Sequence, residues 1–208
     1  HNGCRNAACL VDTLHRKGIP RGVILDAFRY IPRDCFVPAQ ERPHAWEDRP
    51  LPIGEDQTIS QPYTVAYMFE LASVSPGDRV LEIGTGSGYV AALLVYIVGA
   101  QNLVTTVEIN PELYVYGGKR LAAVGMNGIH RLLGNGRELT YPDAPFDAII
   151  ISAQAPEIPE SLVDVIGPGG RLVMPVEMGS YSVMTRLLRT PAGLETTRHD
   201  AFQFVPLI

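Results

Sequence analysis

Cysteines are few in this chain of 208 residues, and neither a disulfide framework nor a set of metal ligands is visible in it. The three cysteines are Cys4, Cys9 and Cys35, an odd number whose spacing predicts reduced thiols and a cytoplasmic location. Cys4, Cys9 and His15 match no established ligand spacing, so we expect no metal site.

Basic blocks and long apolar segments are also missing from the sequence. The net charge is −5 and no zinc-finger pattern occurs, which argues against nucleic acid as a partner. The longest apolar runs, such as residues 90–98, are much shorter than the roughly 20 residues that a membrane-spanning helix needs. Hydrophobic residues make up 46% of the chain, enough for the core of one domain. We expect a monomer that binds neither nucleic acid nor membranes.

Strand and helix patterns alternate through the larger part of the chain. Strands are predicted at 78–84, 102–109, 128–134, 146–152 and 170–176, and helices at 87–99, 111–125 and 157–167. This alternation is typical of an α/β protein with a Rossmann-like, doubly wound and mostly parallel sheet. The segments 180–190 and 194–208 predict a C-terminal antiparallel hairpin that closes the sheet.

The N-terminal part has a different pattern. Apolar periodicity predicts helices over 6–17 and 21–30, and Pro62 suits the first turn of a helix that runs to about residue 72. Five prolines between 32 and 52 predict that 31–61 is an ordered loop over a cleft, without regular elements. We therefore divide the chain into an N-terminal covering segment, 1–61, and a core, 62–208.

A glycine turn between a strand and a helix indicates a cofactor site. Gly84, Gly86 and Gly88 have the spacing G-x-G-x-G, and Tyr89 stands where the G-x-G-x-x-G of a dinucleotide site would have its last glycine. Glu82 precedes the turn, and Glu108 ends the next strand, where a carboxylate can accept both ribose hydroxyls. Acidic groups favour the sulfonium cation of S-adenosyl-L-methionine (SAM) over a diphosphate. A nicotinamide oxidoreductase remains the alternative from another class.

Several longer motifs resemble those of the protein-L-isoaspartate O-methyltransferases. The matching stretches are PRDCFVP (32–38), EDRPLPIGEDQTISQPYTVAYMFEL (47–71), VLEIGTGSGYVAALL (80–94), FDAIIISAQAPEIPESLVD (146–164), PGGRLVMPV (168–176) and FVPL (204–207). The glycine turn alone indicates only a class I methyltransferase, whereas QTISQP and the closing FVPL are more specific. The resemblance implies methyl transfer from SAM to the free carboxylate of isoaspartyl residues in damaged proteins or peptides, which starts their repair through a succinimide.

The resemblance also implies roles for individual residues. Ser60 is the expected active-site residue, and Thr58 offers a second hydroxyl. The residues expected to hold SAM are Gln57, Glu82, Gly84, Thr85, Gly86, Ser87, Gly88, Glu108, Ile109, Asn135 and Gly136. The residues expected to contact the substrate are Ile59, Phe204, Val205 and Leu207.

Three positions depart from the pattern of the family. Glu55-Asp56 stands where the family commonly has Gly, Asn135 where it usually has Asp, and Gln154 within a run usually rich in Ala and Pro. These departures keep open a related methyltransferase that acts on a normal aspartate of a dedicated peptide. A SAM-binding module without catalysis is a further alternative.

The loop around Ser60 contains no His, Cys or Lys, and the chemistry explains why none is needed. A carboxylate with a pKa of roughly 3 to 4 is already ionised at pH 7, so the nucleophile requires no base. Donors that orient the carboxylate are sufficient, and Thr58 and Ser60 carry them. A purely structural alternative is that Ser60 caps the helix that follows.

Overall fold

A seven-stranded mixed sheet forms the centre of the molecule. The computed structural model of the chain describes residues 3–203 and 207. The strands are β1 Leu51–Gly54, β2 Gln57–Ile59, β3 Val80–Ile83, β4 Val104–Glu108, β5 His130–Leu133, β6 Phe146–Ile151, β7 Ile166–Glu177, β8 Ser182–Thr190 and β9 Gly193–Phe202. The helices are α1 Ala7–Arg16, α2 Val23–Tyr30, α3 Pro62–Leu71, α4 Tyr89–Val98, α5 Pro111–Ala123 and α6 Glu160–Val163.

The strand order of the sheet is β5-β4-β3-β6-β7-β8-β9. The five strands from β5 to β7 pair in parallel, and β8 and β9 add an antiparallel hairpin, which confirms the predicted fold class. The order in the sheet reverses between β3 and β6. In open α/β sheets the ligand crevice lies outside the carboxyl ends of the strands at such a reversal.

Apolar residues on both faces bury the central strands. Val80 and Ile150 belong to a cluster that also includes residues of α1 to α5, whereas Leu81 and Ile151 belong to a second cluster with Leu162 of α6. Because neighbouring side chains of a strand point to opposite faces, continuous apolar strands such as β6 are the expected sequence for a sheet covered on both sides. The first cluster joins the N-terminal helices to the core, so the division at residue 61 stays a proposal about roles.

The glycine turn is held close to helix α5. Gly84, Gly86 and Gly88 all have positive φ angles, a conformation that side chains with a Cβ rarely adopt. A Cβ at Gly117 of α5 would lie 2.7 Å from the carbonyl oxygen of Gly86. Gly117, although glycine is unfavourable within a helix, therefore permits close packing of α5 on the turn.

The segment 31–61 is more regular than predicted. It contains two short 3-10 helices, Arg33–Phe36 and Ala39–His44, and the antiparallel hairpin of β1 and β2. Pro52 is tolerated because this two-stranded sheet consists of edge strands only. At the tip, Glu55 and Asp56 have φ angles of 51° and 53°, the left-handed region in which Gly and Asn are favoured. The sequence at the tip therefore gives no hairpin signal.

Helix α6 is shorter than the prediction of 157–167, because β7 begins early. Its four residues, Glu160–Val163, follow Pro159, which limits the start of the helix. Ile166 pairs with Phe146 in the sheet, and the N–H of Phe146 donates to the carbonyl of Val165. Residues at the end of the predicted helix therefore belong to strand β7 in the structure.

The prediction of reduced thiols is wrong for two of the three cysteines. Cys4 and Cys9 are joined by a disulfide, with their Cα atoms 5.3 Å apart, and Cys35 is free. The side chain of Asn6 caps α1 by accepting from the N–H of Cys9. The short turn before the helix thereby brings Cys4 back onto its first turn. The cysteine content consequently gives no support to a cytoplasmic location.

Candidate active site

A cavity of about 950 Å³ opens at the carboxyl ends of the strands, at the predicted crevice. Its wall includes Ile83 from the end of β3 and Ser152 from the residues after β6. Across residues 3–203 and 207, no three His, Cys, Asp or Glu side chains come together as metal ligands, and no helix is long and apolar enough to cross a bilayer.

One part of the wall comes from the glycine turn and from the ends of β4 and β5. Of the residues expected to hold SAM on this side, the structure places five in the wall: Gly84, Gly86, Glu108, Ile109 and Gly136. The carboxylate of Glu108 accepts from the N–H of Gly86 at 2.8 Å and from the N–H of Asn110 at 3.0 Å. These bonds fix the carboxylate at the edge of the cavity, where each oxygen keeps a further lone pair for a hydroxyl donor.

Four backbone N–H groups of the glycine turn already have acceptors within the protein. Those of Gly84 and Thr85 donate to the carbonyl of Val107, that of Gly86 donates to Glu108, and that of Gly88 donates to the carbonyl of Thr85. A diphosphate site needs such groups directed at its oxygens. The turn therefore suits a cofactor without phosphate better than a dinucleotide.

Five other expected cofactor or substrate residues lie behind the wall. Thr85, Ser87 and Ile59 are buried, Gly88 is the N-cap residue of α4, and Asn135 is half-buried in a turn after β5. The amide oxygen of Asn135 accepts from the N–H of Arg137 at 3.0 Å, and its amide nitrogen donates to Glu138 at 3.3 Å. The assignment of Asn135 to the adenine stays a prediction.

Glu82 also lies behind the wall, fully buried in the core beneath the turn. Its Oε2 accepts from the hydroxyl of Thr106 at 2.6 Å, and the hydroxyls of Thr106 and Thr85 are 2.7 Å apart. Its Oε1 has no hydrogen-bond partner among the described residues. Burial raises the pKa of Glu82 to about 8, so this carboxyl is largely neutral at pH 7.

The opposite wall is formed by the loop that ends in Ser60. Gln57, Thr58 and Ser60 all line the cavity. Helix α3 takes Gln61 rather than Ser60 as its N-cap residue, without a side-chain cap bond, and the N–H of Tyr63 donates to Asp48 at 2.8 Å. The structural alternative, in which Ser60 caps the helix, is therefore wrong. The acceptor is instead the side chain of Asp48, which lies 15 residues earlier in the sequence than Tyr63. No local sequence pattern predicted this hydrogen bond.

Residues near the C-terminus complete the wall. Leu207 lines the cavity, and its N–H donates to the carbonyl of Gln154 at 2.6 Å. Phe204 and Val205, also expected to contact the substrate, lie outside the described residues. Tyr181 and Phe202, beside the ends of β8 and β9, line the cavity as well. Sequence reasoning missed both residues because nothing in a local pattern shows which end of a hairpin faces a distant turn.

Comparison with known proteins decides which family the chain belongs to. The family profile of protein-L-isoaspartate(D-aspartate) O-methyltransferases matches residues 5–208. A protein-L-isoaspartate O-methyltransferase of Ignicoccus hospitalis is 44% identical over 191 residues, which cover 91% of this chain and 90% of the relative. The chain belongs to the protein-L-isoaspartate O-methyltransferase family.

Solved structures of similar proteins show the same fold. A protein-L-isoaspartate O-methyltransferase with 26% identity superposes with a TM-score of 0.87 over 96% of this chain, which spans 65% of the length of that structure. A Plasmodium falciparum protein assigned to the same family, in complex with S-adenosyl-L-homocysteine, gives a TM-score of 0.85 at 22% identity over 98% of both chains.

The three departures from the pattern of protein-L-isoaspartate O-methyltransferases occupy different places around the cavity. Glu55 lies in the wall at the tip of the β1–β2 hairpin, whereas Asn135 does not line the cavity although Gly134 and Gly136 on either side of it do. The side chain of Gln154 accepts from the hydroxyl of Ser182 at 2.5 Å, and its carbonyl holds Leu207. Gln154 thus links the residues after β6 to β8 and to the C-terminal segment.

Proposed function

We propose that the protein transfers a methyl group from SAM to the free carboxylate of isoaspartyl residues in damaged proteins or peptides. One observation carries this proposal beyond family membership. The described wall of the cavity contains no His, Lys, Cys or Arg, and its ionisable side chains are Glu55, Glu108 and Tyr181. Methylation of an amine or alcohol needs a base to remove a proton, whereas a carboxylate is already ionised at neutral pH. Of the two carboxylates in the wall, Glu108 is held by the N–H groups of Gly86 and Asn110, and Glu55 is exposed at the tip of the hairpin.

SAM fits the residues of the cavity. Acceptance from the ribose hydroxyls by Glu108 is supported by its carboxylate, which main-chain N–H bonds hold at the edge of the cavity, and the internally bonded turn offers close approach rather than a phosphate site. When bound, SAM supplies an electrophilic methyl group on a sulfonium cation. Binding of SAM is also supported by the solved relative with S-adenosyl-L-homocysteine.

The remaining task of the protein is to position the carboxylate and to exclude water. Thr58 and Ser60 place two hydroxyl donors in the wall that faces the glycine turn. A negative carboxylate and a positive sulfonium neutralise each other in the reaction, so transfer of the pair out of water favours the transition state. Hydroxyl donors hold the carboxylate while leaving it nucleophilic, because they form weaker bonds than a cationic side chain would.

Discrimination between isoaspartate and aspartate follows from geometry. In an isoaspartyl residue the free carboxylate is attached directly to Cα, whereas in aspartate it lies one methylene further away. An error of about 1 Å in the position of a reacting atom can cost about a hundredfold in rate. In the methyl ester that forms, the methoxy group is a better leaving group than the free carboxylate oxygen. The neighbouring amide nitrogen can therefore attack the ester carbonyl and close a succinimide with loss of methanol, and the succinimide hydrolyses in part to normal aspartate.

Methyl transfer to matched peptides tests the proposed function. We expect an isoaspartyl peptide to react at least tenfold faster in kcat/KM than its aspartyl twin, a difference of about 1.4 kcal/mol in transition-state binding. Radiolabelled SAM provides the measurement, and a peptide with Asn at the same position is the blank. Equal rates, or a preference for aspartate, would refute the proposal and favour the enzyme of a dedicated aspartyl peptide.

Three further expectations accompany this proposal. We propose that residues 1–61 cover the cleft and that residues 62–208 bind SAM. This role for the N-terminal part is supported by the position of Gln57, Thr58 and Ser60 in the wall. A monomeric state and a cytoplasmic location stay predictions, and light scattering of the purified protein measures the first.

A further inference from the structure

Arg33 is a fully buried arginine whose partners are main-chain carbonyls. Its Nη1 donates to the carbonyls of Ala45 at 2.7 Å and Glu47 at 3.1 Å. Its Nη2 donates to the carbonyls of Arg49 at 3.0 Å and Ser60 at 3.1 Å. One planar guanidinium therefore joins four carbonyls from two separate segments.

Those segments include the main chain of Ser60, which the proposed function places in the active site. The segment 45–49 holds the other side of the same loop, because Asp48 accepts from the N–H of Tyr63 and its carbonyl accepts from the side chain of Gln61. The residues on the C-terminal side of Ser60 are thus bonded to the segment that Arg33 holds.

Arg33 also contacts the start of the helix that follows the glycine turn. Its guanidinium carbon lies 5.9 Å from the centre of the ring of Tyr89, the first residue of α4. The same ring packs on Phe36 of the 3-10 helix that carries Arg33, at 5.4 Å between ring centres. A single side chain thereby connects the Ser60 loop to the beginning of α4.

We propose that Arg33 is a positioning residue that fixes the Ser60 hydroxyl relative to the cofactor turn. The proposal rests on the proposed function. A buried cation is an expensive way to stabilise a fold, since apolar side chains of similar size often do so as well or better. Its advantage is geometric, because the planar fork of Arg directs several donors at once and the single ammonium of Lys does not.

Arg171 supplies a matched control. It too donates to main-chain carbonyls, those of Ala72 at 2.6 Å and Ser73 at 2.7 Å, and it pairs with Asp78 at 3.1 Å. It lies on β7 opposite Ala148, near the amino end of β6, whereas the cavity lies at the carboxyl ends of the strands. Loss of its hydrogen bonds affects the fold without touching the Ser60 loop.

The experiment compares Arg33→Lys with Arg171→Lys at a temperature at which circular dichroism shows both variants folded. We expect both to lower Tm. Only Arg33→Lys should lower kcat/KM for the isoaspartyl peptide, by at least tenfold, and reduce its preference over the aspartyl peptide. SAM affinity by calorimetry should stay within about twofold of the unmodified protein in both variants. An equal loss of kcat/KM in the Arg171→Lys protein would overturn the proposal.

A double-mutant cycle with Ser60→Ala asks whether Arg33 acts through Ser60. If it does, Arg33→Lys should cost less than twofold in kcat/KM when Ser60 is already Ala. Losses that multiply would show independent roles and contradict the proposal.

Arg33→Gln, shorter and uncharged, serves as a second variant. If neither Arg33 variant folds while Arg171→Lys does, Arg33 is a structural residue and the proposal fails. The unmodified protein is assayed first on the isoaspartyl peptide. No turnover there would refute the proposed function. Turnover in the unmodified protein, combined with losses in kcat/KM that multiply in the double mutant, would refute only the role of Arg33.

Discussion

The two walls of the cavity are held by different forces. The wall at the glycine turn follows β3 and β4, whose residues are all buried and whose main chains pair continuously with their neighbours. The wall at Ser60 follows a strand of three residues in an isolated hairpin, and its main chain is held by the side chains of Arg33 and Asp48. The main chain of the first wall is held by strand pairing in the sheet. The hairpin of the second wall packs Leu51, Ile53 and Ile59 into the core, but the main chain beside Ser60 is held by long-range side-chain bonds.

Mutations in the two walls should therefore change different properties of the protein. We expect changes in the glycine-turn wall to affect the fold and cofactor affinity, because its residues also support the sheet. Changes to Thr58 or Ser60 should affect rate and selectivity, because these two side chains line the cavity and are not buried in the core.

Glu82 should make the stability of the sheet depend on pH. Its folded pKa of about 8 lies above the unfolded value of 4.5, so the folded state binds the proton more tightly. The free energy of unfolding should therefore fall as pH rises from 4.5 to 8 and change little above that range. Each pKa unit corresponds to about 1.4 kcal/mol, so the difference of about 3.5 units predicts a loss on the order of 5 kcal/mol.

Denaturant unfolding at a series of pH values measures this loss. In Glu82→Gln, a neutral side chain of the same shape, the fall between pH 4.5 and 8 should be much smaller. Glu47 and Asp143, whose pKa values are lowered by hydrogen bonds, contribute their stability above the unfolded values and lose it only at acid pH. The same pH profile in both proteins would show that Glu82 is not the cause.

Ser60→Ala should lower kcat/KM for the isoaspartyl peptide by about a hundredfold, as expected for the loss of one donor that positions the reacting group. SAM affinity and Tm should change little, because Ser60 does not cap α3. Steady-state kinetics, calorimetry and thermal unfolding give the three values. Ser75→Ala, which removes an exposed hydroxyl before β3, is the control. A drop in Tm without a loss of rate would make Ser60 structural.

Glu108→Gln should weaken SAM binding by about tenfold, since a neutral amide forms weaker bonds to hydroxyls than a carboxylate does. Calorimetry measures the affinity, and Tm measured alongside reports the bonds of Glu108 to Gly86 and Asn110. Glu195→Gln removes an exposed charge on β9, outside the wall of the cavity, and should leave the affinity unchanged. Unaltered binding in Glu108→Gln would remove this residue from the cofactor site.

The elements that could be predicted from sequence are those with local causes. Pro62 at the first turn, Asn6 before α1 and continuous apolar strands each determine their neighbours through short-range geometry or burial. Prediction was wrong where pairing between strands, rather than a local pattern, decided the structure. Helix α6 lost residues to a strand that pairs with β6, and the β1–β2 hairpin formed without favoured residues at its turn.

The sequence by itself determined the α/β fold, the glycine turn and the position of Glu108 at the end of a strand, because apolar periodicity and glycine geometry act over a few residues. Only the tertiary structure decided that Glu82 is buried under the turn, that Asp48 replaces Ser60 as the cap of α3, and that Arg33 holds the Ser60 main chain. Each of these depends on hydrogen bonds or burial between segments 15 or more residues apart. Their partners are chosen by the packing of the whole chain, which no local pattern specifies.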